Sequence, residues 1–379
     1  MAVKGNNLTP RCREAEVAEK VRLGDVCTPL KGEQINGSEL SDKFGYPFLN
    51  GGVEPSGKWR DYNVSGGTVT VSEGGNSCGF VNYMEDDFWC GAHCYYLSNP
   101  RCDSKYLFHS LKAKQKEIQA LRTGVCMPNI KKSVISNFAI KYHCEVEIQR
   151  RIAAELDKIC ELKKNAETRL EKLDLLVKSR FVEMFGDPMT NPKRWPMGSV
   201  SDIAKYWNGL TYKPEDVSEQ GTIVLRSSNI QNGSLDFADI VRVNLDAKEK
   251  NQVAPGDILM CSRNGSAALV GKTAIIPKLS EKMYFGAFMM VLRCGEPAFL
   301  NAYFTTKAFR AQIVCGKTST VNQITCSMMD KVRLPVPPLA LQREFAAFVK
   351  KVDKLKDVAK KLVEQMDTLY RARLQEYFG

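Results

Sequence analysis

One stretch of the sequence decides the fold, because it occurs twice. Residues 147–186 read EIQRRIAAELDKICELKKNAETRLEKLDLLVKSRFVEMFG, and residues 340–379 read ALQREFAAFVKKVDKLKDVAKKLVEQMDTLYRARLQEYFG. Gln149 corresponds to Gln342, an offset of 342 − 149 = 193, and the closing glycines have the same offset, 379 − 186 = 193. The chain is therefore built by internal duplication, and this stretch is its most regular part.

Both copies are predicted to be long helices. Neither contains proline, and each ends in glycine, which readily adopts the left-handed conformation that closes a helix. Their apolar residues recur at alternating intervals of three and four, as in a coiled coil, and a helix of this length extends roughly 60 Å. We expect the helices to pack on each other, since neither could bury its apolar stripe alone. The predicted contact residues are Ile152, Ile159, Leu162, Leu173, Leu176, Phe345, Val352, Leu355, Leu362, Met366 and Leu369.

A mixed globule of strands and helices precedes each long helix. Short apolar runs cut by glycine, proline and asparagine, which are typical of strands and turns, include VRLGDV, YPFLNGGV, GGTVTVSEGGNSCGFV and FWCGAHCYYL. The same order returns as WPMGSVSDIAKYWNG, TIVLRSSNI, PGDILMCSRNGSAALVGKTAII and FGAFMMVL. Gly24 and Gly198 differ by 198 − 24 = 174 positions, whereas Ile130 and Ile324 differ by 324 − 130 = 194. The second globule has therefore gained about 20 residues, which surface loops tolerate.

The predicted fold class is α+β, with two tandem globules separated by the long helices. The first helix leads from the first globule to the second, and the second helix begins directly after the second globule, at PVPP. Helices that pack along their length must then run antiparallel, which gives an antiparallel coiled coil with approximate two-fold symmetry. The predicted segments are a tail at 1–20, globule 1 at 21–144, the first helix at 145–186, globule 2 at 187–338 with a linker at 187–194, and the second helix at 339–379.

The composition indicates a polyanionic partner. The 379 residues are 44% hydrophobic, which is typical of a globular protein, and carry a net charge of +11. Nucleic acid is favoured over membrane, because no basic amphipathic segment or lipidation signal is present. No apolar run approaches the roughly 18 residues of a membrane span, and the first 17 residues lack the apolar core of a signal peptide. We expect a cytoplasmic protein with reduced cysteines.

No cofactor, metal or catalytic site is predicted. Cys90, His93 and Cys94, with Cys102 nearby, lack the second closely spaced pair that a zinc site needs, and FWCGAHCYYL indicates a buried strand. The segment from Gly265 to Thr273, GSAALVGKT, has five residues between its glycines where a phosphate-binding loop has four, and it continues into a strand, AIIPK. We therefore expect that the chain alone is not an enzyme.

Duplicated globules on a basic chain suit DNA recognition. DNA-binding proteins with two-fold symmetry place two recognition elements on half-sites at a fixed spacing, and unlike globules predict unlike half-sites. Polar turn residues supply the groups that contact bases and phosphates, although asparagine, glycine and serine also occur in turns for backbone reasons alone. The candidate DNA-binding residues are Asn50, Lys58, Arg60, Asn76, Ser77, Arg122, Asn129, Arg226, Ser228, Asn229, Arg263, Asn264, Ser266, Lys272, Lys317, Thr318, Asn322 and Gln323.

The order of globules and helices resembles the specificity (S) subunit of type I restriction-modification systems. The resemblance covers nearly the whole chain from about Val21, and its motifs are SRFVEMFGDP, ARLQEYFG and PVPPLALQREF. It implies that the globules are target recognition domains for the two parts of an interrupted double-stranded DNA site. It also implies that the paired helices set the spacing and dock two methyltransferase (M) subunits, which form the complex with restriction (R) subunits. Methylation and cleavage would belong to those partners.

Two other functions stay open at this point. The chain could be a nuclease or methyltransferase without a recognisable motif, and turnover by highly purified protein with magnesium or S-adenosylmethionine would support that alternative. It could also be a structural protein, with the helices as a dimerisation device and the globules as protein-binding modules. The positive charge argues mildly against the second alternative.

Overall fold

The computed structural model describes residues 18–124, 128–245, 247–313 and 322–379. The chain divides into two compact units. Unit 1 comprises Met1–Glu167 and Lys360–Gly379, and unit 2 comprises Thr168–Ala359. Each unit thus holds one globule together with part of both long helices.

The globule of unit 1 is built on two sheets and a two-stranded ribbon. Its strands are β1 (Glu19–Arg22), β2 (Thr28–Lys31), β3 (Tyr46–Leu49), β4 (Gly57–Trp59), β5 (Thr68–Ser72), β6 (Val81–Met84), β7 (Trp89–Cys90), β8 (Cys94–Ser98) and β9 (Ala139–Tyr142). The larger sheet has the antiparallel order β2-β8-β5-β6, and the smaller has the order β4-β3-β7, in which β3 and β7 are parallel. Strands β1 and β9 pair antiparallel and connect the globule to the first long helix.

The globule of unit 2 repeats this arrangement. Its strands are β10 (Met197–Ser199), β11 (Ala204–Asn208), β12 (Val217–Leu225), β13 (Ile230–Gln231), β14 (Ser234–Leu235), β15 (Arg242–Val243), β16 (Ile258–Cys261), β17 (Arg263–Asn264), β18 (Thr273–Ile275), β19 (Met283–Phe285), β20 (Met289–Cys294), β21 (Asn322–Gln323) and β22 (Arg333–Pro335). The orders β11-β20-β16-β18 and β15-β12-β19, with β12 and β19 parallel, match the two sheets of unit 1. The predicted duplication of the globules is therefore present in the strand topology.

The helices follow the same plan. They are α1 (Leu23–Val26), α2 (Ser104–Ala113), α3 (Gln115–Ala120), α4 (Lys132–Ser136), α5 (Val146–Phe185), α6 (Val200–Ile203), α7 (Pro297–Phe304), α8 (Lys307–Gln312), α9 (Cys326–Met329) and α10 (Leu339–Phe378). In unit 1, Val71 and Leu97 of the larger sheet pack with Leu107 and Leu111 of α2 in one buried cluster. Burying a side chain of this size contributes about 1.5–3 kcal/mol, so this cluster is a main source of the stability of the globule.

A repeated glycine lets the two sheets of each globule approach closely. A Cβ on Gly32, after β2, would lie 2.0 Å from the carbonyl oxygen of Cys90 in β7. A Cβ on Gly209, after β11, would lie 2.1 Å from the carbonyl oxygen of Phe285 in β19. No side chain fits at either position, because real Cβ contacts are longer than this. The two glycines mark the same junction in both copies.

The long helices α5 and α10 span 40 residues each, and their bounds share one offset, 339 − 146 = 193 and 378 − 185 = 193. Gly186 follows α5 with φ of 80°, as expected for a glycine that closes a helix. In unit 1, Lys163 lies 2.7 Å from Asp367, and Glu155 lies 2.8 Å from Arg373. From the first ion pair to the second, the residue number decreases in α5 and increases in α10. The two helix segments therefore run antiparallel in this unit.

The segments in unit 2 are also antiparallel. Lys356 lies 2.6 Å from Asp174, and Arg180 lies 3.0 Å from Glu344. The first of these ion pairs is the exact counterpart in sequence of the pair in unit 1, since 356 − 163 = 193 and 367 − 174 = 193. The duplication therefore extends to the side chains that join the helices.

The long helices bury about half of the predicted contact residues. At most of the other predicted positions, the following residue is covered instead. The buried and half-buried series is Ile152, Leu156, Ile159, Lys163, Ala166, Leu170, Leu173 and Val177 in α5, and Phe345, Val349, Val352, Lys356, Ala359, Val363, Met366 and Tyr370 in α10. It contains six of the predicted contact residues. These are Ile152, Ile159, Leu173, Phe345, Val352 and Met366.

Four of the other predicted positions are wrong by one residue, and the fifth, Leu362, stays a prediction. Leu162, Leu176, Leu355 and Leu369 are exposed, the third at 57%, and the half-buried Leu362 is also outside the series. In two of these cases the neighbouring residue is a lysine, which the apolar pattern could not place at a contact. Lys163 and Lys356 lie there because their long aliphatic stems are covered while their ammonium groups pair with aspartate.

Two smaller expectations also need correction. The segment FWCGAHCYYL is not one strand: it forms β7 and β8, which belong to different sheets and are joined by a turn at residues 91–93. The last two residues of the predicted tail at 1–20 belong to the globule. Glu19 and Lys20 pair with Tyr142 and Lys141 in the β1–β9 ribbon. Among the helices that the structure describes, none combines the length and apolar character that crossing a bilayer requires.

Candidate nucleic-acid interface

In unit 1, three loops far apart in sequence converge at one end of the larger sheet. The amide of Ile130 donates to the carbonyl of Glu73 at 2.9 Å, and Thr123 and Asn129 exchange two backbone hydrogen bonds of 2.9 Å. The amide of Gly75 also donates to the carbonyl of Pro128. We call residues 73–77, 122–123 and 128–129, with the turn at 91–93, loop surface 1.

Loop surface 1 presents several of the predicted residues together. Asn76, Arg122 and Asn129 are exposed on it, and Ser77 is half-buried because its hydroxyl donates to the carbonyl of Gly51. An exposed guanidinium beside exposed amides can donate to phosphates and to the acceptor edges of bases. The predicted residues Asn76, Arg122 and Asn129 thus lie together on one surface, and their contact with DNA stays a prediction.

Other predicted residues of unit 1 lie elsewhere or serve the fold. The side-chain oxygen of Asn50 accepts from the amide of His93 at 3.1 Å, so Asn50 holds the turn at 91–93 in place. Lys58 and Arg60 are exposed on and after β4, in the smaller sheet. The Arg60 guanidinium lies 5.0 Å from the ring of Trp59. Neither residue is joined to loop surface 1 by a contact among the described residues.

In unit 2, the corresponding loops form a short ribbon between β17 and β21. Arg263 faces Gln323 in the register of these strands, and Asn264 faces Asn322. The amide of Ile324 donates to the carbonyl of Ser262 at 2.7 Å, as Ile130 does to Glu73 in unit 1. We call residues 263–266 and 322–323, with the turn at 286–288, loop surface 2.

Loop surface 2 also gathers predicted residues. Arg263, Ser266 and Gln323 are exposed, and the side-chain amide of Asn322 donates to the carbonyl of Gly265 at 3.1 Å. Asn264 is half-buried: its oxygen accepts from the amide of Ser266, and its nitrogen donates to the hydroxyl of Ser227 at 3.2 Å. Asn264 thus shapes the turn that carries Ser266. Lys317 and Thr318 lie outside the described residues.

Three predicted residues near loop surface 2 are engaged by the protein itself. Asn229 is fully buried, with its oxygen bound to the amide of Arg226 and its nitrogen to the carbonyls of Asp236 and Asp239. The Arg226 guanidinium pairs with the Asp239 carboxylate at 2.7 Å. Lys272 donates to the carbonyl of Ile230 at 2.8 Å. These side chains stabilise the loop after β12 and offer little to an external ligand.

The half-buried Ser228 lies in the same loop, within the single 3₁₀ turn Ser227–Asn229. Its carbonyl accepts from the side chain of Gln231 at 2.9 Å. The segment GSAALVGKT ends in strand β18, as expected, and not in the helix that a phosphate-binding loop requires.

Each surface also carries one exposed ring that is not among the predicted DNA-binding residues. His93 and Phe288 occupy the third position of equivalent turns, Gly91-Ala92-His93 and Gly286-Ala287-Phe288, and both are exposed. The amide of Glu73 donates to the carbonyl of His93, and the amide of Ser262 donates to the carbonyl of Phe288, both at 2.9 Å. The repeated Gly-Ala pair, aligned between the two copies, was the signal that could have found them.

The two cysteines that flank the turn at residues 91–93 are packed residues. Cys90 and Cys94 are buried, and the thiol of Cys90 donates to the carbonyl of Cys94 at 3.6 Å. The interaction with Cys94, followed by burial, raises the pKa of the Cys90 thiol far above its usual range. Within the described parts of the chain, no three histidine, cysteine, aspartate or glutamate side chains come together as metal ligands would.

Comparison with known proteins agrees with the repeated architecture. A family model, the type I restriction modification DNA specificity domain, matches the chain twice, over residues 16–174 and 192–366. The chain belongs to this family. Each match covers one globule together with most of the long helix that follows it.

Named relatives are specificity subunits. The chain is 30% identical over 198 residues to the type I restriction enzyme EcoKI specificity subunit of Escherichia coli (strain K12), covering 50% of this chain and 42% of that protein. It is 32% identical over 166 residues to the StySPI specificity subunit of Salmonella potsdam, covering 41% of this chain and 35% of that protein. The aligned regions thus span less than half the length of either relative.

Two solved structures share the fold. The crystal structure of the S subunit of a type I restriction-modification system from M. genitalium aligns over 100% of this chain and 98% of its own, with a TM-score of 0.65 and 19% identity. A chain from a type I R-M structure concerned with complex assembly and conformational transition aligns over 98% and 99%, with a TM-score of 0.54 and 18% identity. These likenesses show that the chain shares the fold of both proteins.

Proposed function

We propose that the chain is a non-catalytic DNA-recognition subunit that reads a bipartite double-stranded DNA target with its two globules. The observation that carries this proposal is the duplication itself: the specificity-domain model matches once per globule, and each globule bears a polar loop surface at the equivalent place. The net charge of +11 suits a polyanionic ligand. An enzyme acting alone is not favoured by any of these observations.

The two half-sites of this target should differ. Loop surface 1 offers Arg122 with Asn76 and Asn129, whereas loop surface 2 offers Arg263 with Gln323. Guanidinium groups suit guanine, and side-chain amides suit adenine, in the major groove. Because the arginines stand at different places on two otherwise equivalent surfaces, the globules would select different bases.

The target recognition domains would comprise 21–144 and 187–338, and the helical segments 145–186 and 339–379 would form an antiparallel coiled-coil spacer. Support comes from the equal bounds of α5 and α10 and from the antiparallel contacts within each unit. In this arrangement the helices determine the gap between half-sites, while the loop surfaces determine the bases.

Catalysis would reside in partner subunits, with M subunits docked on the helices and R subunits completing the cytoplasmic complex. One supporting observation is that EcoKI and StySPI, which the chain resembles, are named as specificity subunits of restriction enzymes. Another is the exposed apolar surface of the helices, where Leu176 is 46% exposed and Leu355 is 57% exposed. Exposed leucines of this kind mark a surface that a protein partner can cover.

The test is to map modified bases in DNA from cells that express the chain with its M subunit. We expect a methylated motif with two short specified parts separated by a fixed gap, and no such motif from the M subunit alone. Arg122→Ala should relax one part of the motif and leave the other unchanged. A contiguous motif, or methylation that does not require the chain, would contradict the proposal. Turnover by the highly purified chain would favour the enzymatic alternative.

A further inference from the structure

Loop surface 2 carries an exposed aromatic ring beneath an exposed guanidinium. Phe288 is 58% exposed, so most of its apolar side chain faces solvent. The Cζ atom of Arg263 lies 5.2 Å from the centre of its ring. Arginine stacks on aromatic faces because the ring quadrupole attracts the cation.

The backbone fixes this pair. The amides of Ser262 and Arg263 both donate to the carbonyl of Phe288, at 2.9 and 3.1 Å, and the amide of Met289 closes the turn on the carbonyl of Gly286 at 2.8 Å. Register with β21 sets Arg263 opposite Gln323. Both side chains therefore project from ordered backbone, and the ring lies beside the guanidinium before any ligand arrives.

The Arg263 guanidinium has no acidic partner in the part of the chain that the structure describes. Among the ion pairs of the described residues, none involves Arg263, in contrast to Arg226, which pairs with Asp239. A guanidinium that stacks on a ring keeps the N–H groups in its plane available for hydrogen bonds. Two of these groups match the O6 and N7 acceptors of guanine in the major groove.

We propose that Phe288 is a positioning residue that holds the Arg263 guanidinium flat for bidentate recognition of a guanine in the half-site of globule 2. The inference rests on the proposed function and adds to it a named base and a residue that sequence reasoning did not select. Preorganisation by the ring lowers the entropy cost of ordering a flexible arginine on binding.

Globule 1 has no arginine over an aromatic ring at the equivalent turn, residues 91–93. The ring there is His93, whose Nδ1 lies 4.0 Å from the Glu73 carboxylate, and Gly74 occupies the place that corresponds to Arg263. The two globules therefore differ in chemistry at the same backbone site. The half-site of globule 1 thus provides an internal control within every variant of globule 2.

The experiment uses the full chain co-expressed with its M subunit, and genome-wide methylation is the readout. Arg263→Ala should reduce discrimination at one G·C pair of a single half-site by about tenfold or more. Phe288→Ala should reduce discrimination at the same pair by about two- to fivefold. Phe288→Trp should restore it, whereas Phe288→Leu should not, because leucine keeps bulk without a π face. Met197→Ala, an exposed apolar residue of the same globule, should leave the motif unchanged.

The outcomes separate the two proposals. If the unmodified chain directs no bipartite methylation, the proposed function fails and this inference falls with it. If the bipartite motif forms but Phe288→Ala leaves every position intact, or Phe288→Leu behaves as Phe288→Trp does, the positioning role alone is refuted. An unchanged half-site of globule 1 in the same variant shows that the complex folded and assembled.

Discussion

Asn229 shows, at the scale of single residues, why exposure is hard to predict from sequence. Asparagine in a polar turn suits adenine recognition, yet both polar atoms of this side chain are used inside the protein, by the Arg226 amide and two carbonyls. The pattern Arg-Ser-Ser-Asn gives no sign of this, because the partners at Asp236 and Asp239 depend on how the loop folds back. Arg263 and Gln323 could be selected from sequence as polar turn residues, and the backbone pairing that carries them has a counterpart in the Gly74–Asn129 bridge of unit 1.

His109 is a buried titratable group in unit 1. Its ring is 1% exposed, with Nε2 2.9 Å from Asp157 and Nδ1 2.8 Å from the hydroxyl of Tyr370. A neutral ring satisfies both contacts when Nε2–H donates to the carboxylate and Nδ1 accepts from the hydroxyl. Burial lowers the pKa of His109 below its ordinary value, although Asp157 acts in the opposite direction.

This arrangement predicts a loss of stability in mild acid. Between the lowered pKa of the folded state and the ordinary pKa of 6.5, the unfolded chain binds more protons than the folded chain. The free energy of unfolding should therefore fall as the pH decreases through that interval. His109→Gln should weaken this dependence, measured as melting temperature at a series of pH values. His93→Gln, at an exposed position, serves as the control, and an unchanged slope in the His109 variant would contradict the prediction.

At the scale of elements, the long helices were the easiest part to predict. Their bounds follow from the absence of proline, the closing glycines and the repeat itself, and they agree with the structure within a residue or two. Only about half of the contact residues between the helices could be predicted from sequence. The apolar pattern selects Leu355 as a contact residue, whereas the structure places Lys356 there. A lysine becomes a contact residue only through an aspartate on the other helix, and that partner is not apparent from one helix alone.

The contact residues observed between the long helices predict that two substitutions in α10 lower the free energy of unfolding by unequal amounts. Phe345→Ala removes a fully buried ring that packs on Phe181 and Phe185, and it should lower the free energy of unfolding by about 3–5 kcal/mol. Leu355→Ala should change it by only about 0.5 kcal/mol, because that side chain is mostly exposed. Denaturant titration of both variants provides the measurement. Comparable losses would favour the phase that the sequence pattern suggested.

At the scale of the whole molecule, the duplication predicts tolerance of circular permutation. The ring centres of Phe378 and Tyr106 are 5.3 Å apart in unit 1, and those of Phe185 and Phe299 are 5.1 Å apart in unit 2. The C-terminal ends of the two long helices therefore pack on their globules in the same way. Residues 187–196 connect Gly186 to β10, and the strand of unit 1 that is equivalent to β10 is β1. A copy of that ten-residue segment should therefore be able to join Gly379 to Glu19.

The permutant opened after Gly186 and joined in this way should fold and direct methylation of the original motif. Circular dichroism and methylation mapping in the presence of the M subunit would measure both properties. A second permutant, opened at the buried Thr70 in β5, should fail to fold because the cut interrupts the central sheet. Failure of the first permutant to fold would show that the two copies are not interchangeable at their ends.

The matched ion pairs have a consequence for how such a chain can change its length. Lys163 and Asp174 are separated by 174 − 163 = 11 positions, and Lys356 and Asp367 by 367 − 356 = 11. An insertion between Lys163 and Asp174, without one between Lys356 and Asp367, would leave one lysine out of register with its aspartate on the other helix. Only simultaneous additions of equal size on both sides keep both bonds. These helix segments, 163–174 and 356–367, can therefore lengthen with both ion pairs kept only in paired, equal steps, and an intermediate with a single insertion loses one of the pairs.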